Sequence, residues 1–268
     1  MRVVAVSPHL DDAAFSAGGV LALLTDAGHH VRVITCFTGS VASADCSEFA
    51  LSTQLDKGLP ADVDYMALRR DEDLAALAVL GAEPLHLPLR EAPHRGYTSP
   101  ADLFAGRHPG DDVAGALVPA LLGELADADL VLAPQAVGDH VDHQVVAAAI
   151  GALADGGALR RERVAWWRDA PYALRHPDAA GAPEVAGDEV VVGIGGVLER
   201  RVAAARSYVT QVGFQFGGTA QVAGALGRLA RDEGARHGVD SAVEVLRAGR
   251  DATSILTTVA GHAGRVGD

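Results

Sequence analysis

The sequence predicts an α/β fold of three layers, in which helices cover both faces of a mostly parallel sheet. Three observations support this fold class. Short apolar, β-branched segments alternate along the chain with helical patterns, as they do in βαβ units. Two of these segments, residues 3–7 and 130–133, are followed within a few positions by groups of His and Asp. The 268 residues, 49% of them hydrophobic, are enough for a large core. We therefore expect a Rossmann-like architecture with its active site at the carboxyl ends of the strands.

The first three elements form a predicted βαβ unit. Residues 3–7 are apolar and β-branched, which is typical of a buried strand. A helix over 13–27 follows and ends at Gly28, since glycine is common just past the end of a helix. Residues 31–37 then return as a second strand, which pairs with the first.

The middle of the chain continues this alternation. A helix is predicted over 69–80, ended by Gly81. Residues 85–89 predict a short strand, and Pro88 places it at an edge or a terminus because proline has no N–H for the ladder. A further helix is predicted over 113–126.

The remaining elements repeat the same pattern. The apolar run 130–133 predicts a strand, and residues 142–154 predict the helix after it. Later strands are expected at 164–167 and 190–192, followed by a helix over 197–209.

The chain is predicted to form one domain over residues 1–268. Two long polar segments, residues 39–64 and 90–112, are expected to build the pocket wall, because long loops in compact domains are usually functional or mobile. Residues 219–268 carry a weak helical pattern at Leu226, Leu229, Val243 and Leu246. We expect this last segment to be a helical cap or an oligomer contact, and a homo-oligomer is consistent with it.

Charge and composition exclude several classes of partner. The formal net charge of −13 opposes binding to nucleic-acid phosphates or to anionic lipids. No signal peptide is recognised, because polar residues interrupt the first apolar run, and no apolar run is long enough to cross a bilayer. Two cysteines are too few for a disulfide framework. We expect a cytoplasmic protein that acts on a small molecule, without nucleic acid and without membrane insertion.

Two groups of His and Asp carry the predicted chemistry. His9 and Asp12 follow the first strand, and His140 and His143 follow the strand at 130–133. Imidazole and carboxylate donors in this combination form a catalytic zinc site that keeps a position open. Either group alone is equally well explained as a helix N-cap. Because both groups end strands of one predicted sheet, we favour a shared metal site, with one of the two later histidines as ligand and the other as hydrogen-bond donor.

Five ordered motifs resemble one known family. Ser7-Pro8-His9-Leu10-Asp11-Asp12 and His140-Val141-Asp142-His143 resemble the metal motifs of the PIG-L-type (LmbE-like) zinc-dependent N-acetylglucosaminyl deacetylases. The other three motifs are Arg69-Arg70-Asp71-Glu72, Asp169-Ala170-Pro171-Tyr172 and Tyr208-Val209-Thr210-Gln211. The chain departs from the family's usual first motif at Leu10, where a proline is commonest, and at Ala13, where a glutamate is commonest. These departures affect substrate preference more than the chemistry.

The resemblance implies a role for each matched position. His9, Asp12 and His143 match the metal ligands, which hold Zn²⁺, with Fe²⁺ as an alternative in the cell. Asp11 matches the general base, and His140 matches the imidazole that stabilises the reacting carbonyl oxygen. Contacts with the metal ligands or with the substrate are expected from Asp142, Arg69, Glu72, Tyr208 and Gln211. For Asp142, a helix N-cap is an equally good interpretation.

The resemblance implies a metal-dependent hydrolase that removes an acyl group, most often acetyl, from an N-acylated amino sugar or glycoconjugate. Thiol or secondary-metabolite biosynthesis is the expected setting. The alternative is a non-catalytic α/β protein that binds a ligand or nucleotide in the same pocket. Asp11 argues against this alternative, because a binding protein needs no proton acceptor there. A nucleotide-dependent transferase is disfavoured, because the glycine fingerprint of dinucleotide binding is absent.

Overall fold

A computed structural model of the protein describes residues 1–263, and residues 264–268 lie outside this description. The described residues contain one sheet of seven strands in the order β3-β2-β1-β4-β5-β7-β6. The strands are β1 (Arg2–Ser7), β2 (His30–Thr35), β3 (Glu83–His86), β4 (Leu130–Pro134), β5 (Val164–Trp167), β6 (Asp188–Gly193) and β7 (Val243–Ala248). The first five are parallel, whereas β7 runs antiparallel to both of its neighbours. This confirms the predicted α/β fold with a mostly parallel sheet.

Helices cover both faces of this sheet. The helices are α1 (Asp12–Asp26), α2 (Glu48–Leu55), α3 (Tyr65–Leu80), α4 (Ala114–Leu125), α5 (Val141–Asp155), α6 (Tyr172–Arg175), α7 (Leu198–Arg206), α8 (Val209–Phe216), α9 (Val222–Arg236) and α10 (Arg250–Ala263). None of the helices in residues 1–263 is both long and apolar enough to span a bilayer.

Alternate residues of each central strand point to opposite faces and pack into two separate cores. In β1, Val3 and Ala5 belong to the core that includes α1, α3 and α7. Val4 and Val6 belong to the core on the other face, which includes α4 and α5. All four side chains are fully buried. This burial on both faces explains why β1 is a continuous apolar run rather than an alternating one.

The sheet order creates a crevice between β1 and β4. From β1 the chain proceeds to β2 and β3 on one side, whereas β4 and β5 lie on the other side. Such a reversal of strand order is where open α/β sheets bind their ligands, at the carboxyl ends of the strands. The polar motifs that follow β1 and β4 therefore meet at one edge of the sheet.

The predicted helix over 197–209 is two helices. α7 ends at Arg206, and α8 begins at Val209. The break falls at Tyr208, whose backbone angles of −84° and 62° are not helical. Its hydroxyl donates to Asp73 of α3 at 2.7 Å, so tertiary packing sets the bend.

The helical pattern predicted through Val243 and Leu246 is wrong for that segment. These residues form β7, which is inserted between β5 and β6 in the sheet. The reason is tertiary: Glu244 is buried and accepts hydrogen bonds from the backbone of Gly19 and Val20 in α1. Residues 219–268, predicted as a helical cap or an oligomer contact, therefore contribute one strand to the sheet. Two expectations stay predictions. One is that residues 1–268 form a single domain, and the other is that residues 219–268 serve as a cap or as a contact with another copy.

Candidate metal centre and active-site cavity

Three neighbouring strands end in the residues of the candidate site. His9 follows β1, whose last residue is Ser7, and Asp169 follows β5, whose last residue is Trp167. His140 and His143 follow β4 and stand at the start of α5. Parallel strands bring their carboxyl ends to one edge, so side chains more than 130 positions apart in sequence lie together there.

His9, Asp12 and His143 converge on a single point. Each offers one ligand atom, and these atoms all lie within 4.8 Å of one another. Oδ2 of Asp12 is 3.1 Å from Nδ1 of His9 and 3.2 Å from Nε2 of His143. A tetrahedral ion with bonds of about 2.0–2.1 Å places neighbouring ligand atoms about 3.4 Å apart. The two measured separations are close to that spacing.

His143 is oriented by a carboxylate behind it. Its Nδ1 donates to Oδ1 of Asp169 at 2.7 Å, which leaves Nε2 directed at Asp12. Nε2 is buried and makes no hydrogen bond within residues 1–263. A buried ring nitrogen without such a partner, held in place by a carboxylate on the other side of the ring, is typical of a metal ligand. Burial opposes the charge on His143, but Asp12 and Asp169 raise its pKa to about 9.

Asp142 orients His9 rather than capping α5. Its Oδ2 accepts from Nε2 of His9 at 2.9 Å and from the backbone of Ala92 at 3.1 Å, and its Oδ1 accepts from Arg95 at 2.7 Å. Burial opposes ionisation of Asp142, but the bond from His9 and the charges of His9 and Arg95 lower its pKa. The N-cap interpretation of Asp142 is therefore wrong, and the contact with His9 is the one observed.

A second trio, His9, His140 and Asp142, also has ligand atoms within 4.8 Å of one another. Its atoms are already engaged: Nε2 of His9 and both oxygens of Asp142 make the hydrogen bonds just described. The trio that contains His143 fits an ion better, because its imidazole nitrogen has no hydrogen-bond partner in the described residues.

The N-cap of α5 is His140. Its Nδ1 accepts from the backbone N–H of Asp142 at 3.2 Å. A neutral imidazole that accepts at Nδ1 carries its proton on Nε2. Burial, followed by the charge on His9, lowers the pKa of His140 to about 3. His140 therefore presents a neutral N–H donor to the cavity.

Asp11 has a strained backbone at the cavity floor. Its φ of 151° and ψ of −33° lie outside the regions that L-residues favour. Such strain costs on the order of 1–3 kcal/mol and persists only where the surroundings impose it. Burial and the charge of Asp12 raise the pKa of Asp11 to about 8, opposed by the charges of Arg69 and His9. A cation bound beside Asp11 would favour its ionised form and so lower this pKa.

Part of the site forms the floor of a cavity of about 700 Å³. The floor residues are His9, Asp11, Asp12, His140 and Asp142, whereas His143 and Asp169 are fully buried. Both polar segments predicted as pocket wall line it, residues 39–64 through α2 and residues 90–112 through Leu103 and Phe104. The wall opposite them is α8, whose Val209 and Phe214 are 66% and 74% exposed. The mouth of the cavity is therefore partly apolar, whereas its floor is charged.

The four other predicted contact residues divide into two pairs. Arg69 and Gln211 line the cavity. Glu72 and Tyr208 do not: Glu72 accepts from the backbone and hydroxyl of Thr210 at the start of α8, and Tyr208 donates to Asp73. Their contacts hold α8 against α3, so Glu72 and Tyr208 support the wall rather than face the cavity.

Two residues next to the site were missed as site residues. Asp169 stands two positions beyond β5, as His9 stands two positions beyond β1, and this parallel could have identified it. Arg95 lies in the long polar segment 90–112, and its half-buried side chain is bonded to Asp111 and Asp142. No local signal distinguishes such an arginine, because both of its partners are distant in sequence.

One protein family matches the amino-terminal half of the chain. The family described as GlcNAc-PI de-N-acetylase, PIG-L, matches residues 4–154, which is more than half of the chain. The chain belongs to the PIG-L family. The resemblance drawn from the motifs is thereby confirmed at the level of the family.

Curated relatives of this PIG-L protein are deacetylases by name. Over 176 residues it is 37% identical to 2'-N-acetylparomamine deacetylase of Streptomyces fradiae, which covers 64% of this chain and 58% of that protein. Over 87 residues it is 42% identical to 1D-myo-inositol 2-acetamido-2-deoxy-alpha-D-glucopyranoside deacetylase of Corynebacterium glutamicum (strain R), which covers 32% and 28%. The matched segments thus span less than two thirds of either relative.

Solved structures of antibiotic-pathway deacetylases match nearly the whole chain. The deacetylase of the A40926 pseudoaglycone superposes with a TM-score of 0.77 at 28% identity, covering 92% of this chain and 96% of that one. A zinc-inhibited form of teicoplanin deacetylase gives a TM-score of 0.75 at 26% identity, covering 92% and 97%. The PIG-L architecture therefore extends well beyond the segment that the family comparison matched.

Proposed function

We propose that this protein is a zinc-dependent hydrolase that removes an acetyl group from an N-acetylated amino sugar or glycoconjugate. The observation that carries the proposal is the convergence of ligand atoms from His9, Asp12 and His143, of which His9 and Asp12 line the cavity and His143 is fully buried beside them. The names of its PIG-L relatives supply the reaction class, since they describe deacetylases of N-acetylated sugars.

The residues present fit a zinc ion. Two imidazole nitrogens and one carboxylate oxygen form a donor set that zinc uses in catalytic sites. Asp142 and Asp169 bond the remaining nitrogens of His9 and His143, which is the outer support that metal-binding histidines normally have. The carboxylates that favour positive charge on both imidazoles would favour a cation equally well. Iron(II) accepts the same donors, so the metal in the cell depends also on availability.

Asp11 is assigned as the general base. When bound, the zinc ion supplies Lewis acidity that activates water and polarises the amide carbonyl. Asp11 lines the cavity beside the ligand Asp12, where its carboxylate can accept a proton from the attacking water. The same carboxyl group then returns the proton to the departing amine, which allows the carbon–nitrogen bond to break near neutral pH.

His140 is assigned to the carbonyl oxygen. Because its Nδ1 is occupied by the backbone of Asp142, its Nε2–H is directed by the cap itself. A fixed N–H donor in a buried site stabilises negative charge as it develops on the oxygen of the reacting amide. Its lowered pKa keeps the ring neutral, so His140 donates a hydrogen bond without competing for the cation.

An assay of acetate release tests the proposal. The zinc-loaded protein is incubated with N-acetylglucosamine derivatives, including N-acetylated aminoglycoside fragments, and acetate and free amine are measured. We expect acetate release by the native protein, and an Asp11→Asn variant that keeps its zinc but loses about 100-fold or more in kcat. Asp127→Asn, at an exposed position, is the matched control. Sugar binding without acetate release would support the non-catalytic alternative and contradict the proposal.

A further inference from the structure

A small second cavity lies next to the segment that carries Asp169, and charged side chains surround it. Two arginines and two glutamates contribute to its lining: Arg168, Arg201, Glu233 and Glu244. Arg201 is 1% exposed, and the two glutamates are 5% exposed. The large cavity beside the metal centre is lined by other residues, so this cluster of charges is separate from the active-site cavity.

The four charged groups form two pairs that join different elements of the fold. Arg168 donates to Oε1 of Glu233 in α9. Nε of Arg201 in α7 lies 3.2 Å from Oε1 of Glu244 in β7. Positive and negative charges therefore balance within the cluster, as buried charges require.

Each pair contains a buried polar atom that has no hydrogen-bond partner within residues 1–263. In the first pair this atom is Oε2 of Glu233. In the second pair, Nη2 of Arg201 donates to the backbone oxygen of Phe15, whereas Nη1 has no such partner. Buried charged groups are costly to leave unsatisfied, and nearly all of them have a partner. One atom is an acceptor and the other a donor, so a single molecule that can both donate and accept satisfies both.

The cavity has the size and the chemistry of a site for one water molecule. Its volume, counted as the space open to the centre of a water molecule, is about 20 Å³. Roughly 10–15 Å³ of such space is enough for one water, and a buried water makes about three hydrogen bonds. Glu233 offers an acceptor, and Arg201 and the hydroxyl of Ser16 offer donors at this cavity.

The same cluster anchors both neighbours of Asp169. Arg168 precedes Asp169 and is anchored by its ion pair. Ala170 follows Asp169, and its backbone N–H donates to Oγ of Ser16 at 3.0 Å. Asp169 itself bonds Nδ1 of His143 at 2.7 Å. The position of the carboxylate that orients His143 therefore depends on this cluster.

We propose that this cavity binds one ordered water, which bridges Oε2 of Glu233 and Nη1 of Arg201. The water donates to the carboxylate and accepts from the guanidinium, so α7 and α9 are joined at this point. Glu233, acting through Arg168, is then a positioning residue for Asp169. The inference rests on the proposed metal site and deepens it, because it extends the support of the zinc ligand His143 beyond Asp169.

A high-resolution crystal structure of the native protein tests the water directly. We expect one ordered water within about 3.2 Å of both Oε2 of Glu233 and Nη1 of Arg201, in zinc-loaded and in zinc-free protein. A direct ion pair between Arg201 and Glu233, or a cavity without an ordered water, overturns the bridge. This measurement depends neither on bound zinc nor on turnover.

Zinc affinity, measured by competition with a chelator, tests the positioning role. Arg168→Met removes the ion pair with Glu233. Arg236→Met is the matched control, because Arg236 also donates to the backbone oxygen of Pro177 but pairs with the exposed Asp178. We expect Arg168→Met to weaken zinc binding about tenfold, the lower end of the loss seen for residues that support metal ligands. Arg236→Met should keep the native affinity, and Arg168→Lys, which retains the charge, should recover most of it.

A second variant keeps the test decisive if Arg168→Met does not fold. Glu233→Gln preserves the size of the side chain and removes its charge, and we expect it to weaken zinc binding as well. Native zinc affinity in folded Arg168→Met and Glu233→Gln overturns the positioning role, and acetate release by the native protein would still support the proposed function. Weakened zinc binding in these variants, without acetate release by the native protein from any N-acetyl sugar, would support the positioning role and count against the proposed reaction alone.

Discussion

Nδ1 of His143 lies 2.7 Å from Oδ1 of Asp169, although the two residues follow different strands. This contact fixes the tautomer and the direction of the imidazole, so that Nε2 faces Asp12 and His9. Asp169 has a second partner, the backbone N–H of Val137, which holds the carboxylate itself in place. The geometry of the trio thus depends on a residue outside it.

Removing the charge of Asp169 should therefore weaken metal binding. We expect Asp169→Asn to lower zinc affinity by about 10-fold to 100-fold, because the imidazole of His143 loses its orienting carboxylate and some of its basicity. Zinc affinity is measured by competition with a chromophoric chelator, and folding is checked by circular dichroism. Asp127→Asn, which carries the same change on the surface, should keep the native affinity. An unchanged affinity in folded Asp169→Asn protein would show that the contact is only structural.

Two substitutions distinguish the role of His140 as N-cap of α5 from its role as hydrogen-bond donor to the reacting carbonyl oxygen. Asparagine is a good N-cap, so His140→Asn should keep the free energy of unfolding within about 0.5 kcal/mol of the native value, whereas His140→Ala should lose about 1 kcal/mol. Both variants lose the Nε2–H donor and should lower kcat about 100-fold to 1,000-fold with zinc content unchanged. Urea denaturation and steady-state kinetics provide the two readouts. A His140→Asn variant with native kcat would remove His140 from the reaction.

The stabilising contribution of Asp111 to the free energy of unfolding should decrease at low pH. Burial opposes its ionisation, but the hydrogen bonds and charge of Arg95 lower its pKa below the usual 3.8. A pKa that is lower in the folded state contributes stability above about pH 4 and loses it as the pH falls through the folded-state value. We expect Asp111→Asn to cost about 2 kcal/mol in the free energy of unfolding at pH 7. In urea denaturation, the difference in the free energy of unfolding between native protein and Asp111→Asn should become smaller below about pH 4. A difference that stays constant with pH would contradict a lowered pKa of Asp111.

Much of this architecture was predictable because it depends on local patterns. The run from Val3 to Ser7 and the glycine after α3 indicate their elements directly, and Gly81 has the expected left-handed conformation with φ of 74°. The meeting of the two His and Asp groups was also predictable, since both follow strands of a parallel sheet. The prediction needed no knowledge of the partners of each side chain.

The elements that were missed depend on contacts that a sequence pattern does not contain. α2 has little apolar periodicity, because its patterned face lines a cavity instead of a core. β7 contains the charged Glu244, which is stabilised by backbone N–H groups of α1 more than 200 positions away. The roles of Asp142 and His140 at the start of α5 could not be separated, because both residue types can accept a hydrogen bond from a helix N-terminus.

The most direct test of the account is the zinc content of native protein and of His143→Ala after dialysis against zinc at low concentration, measured by mass spectrometry of the metal. Three ligands at one site predict about one zinc per native chain, and a drop to well below half in His143→Ala. The His9→Ala and Asp12→Ala variants should lose zinc likewise, while Asp127→Asn retains it. If folded His143→Ala protein still bound one zinc with native affinity, the two strand ends would not share an ion, and the hydrolase proposal would be wrong.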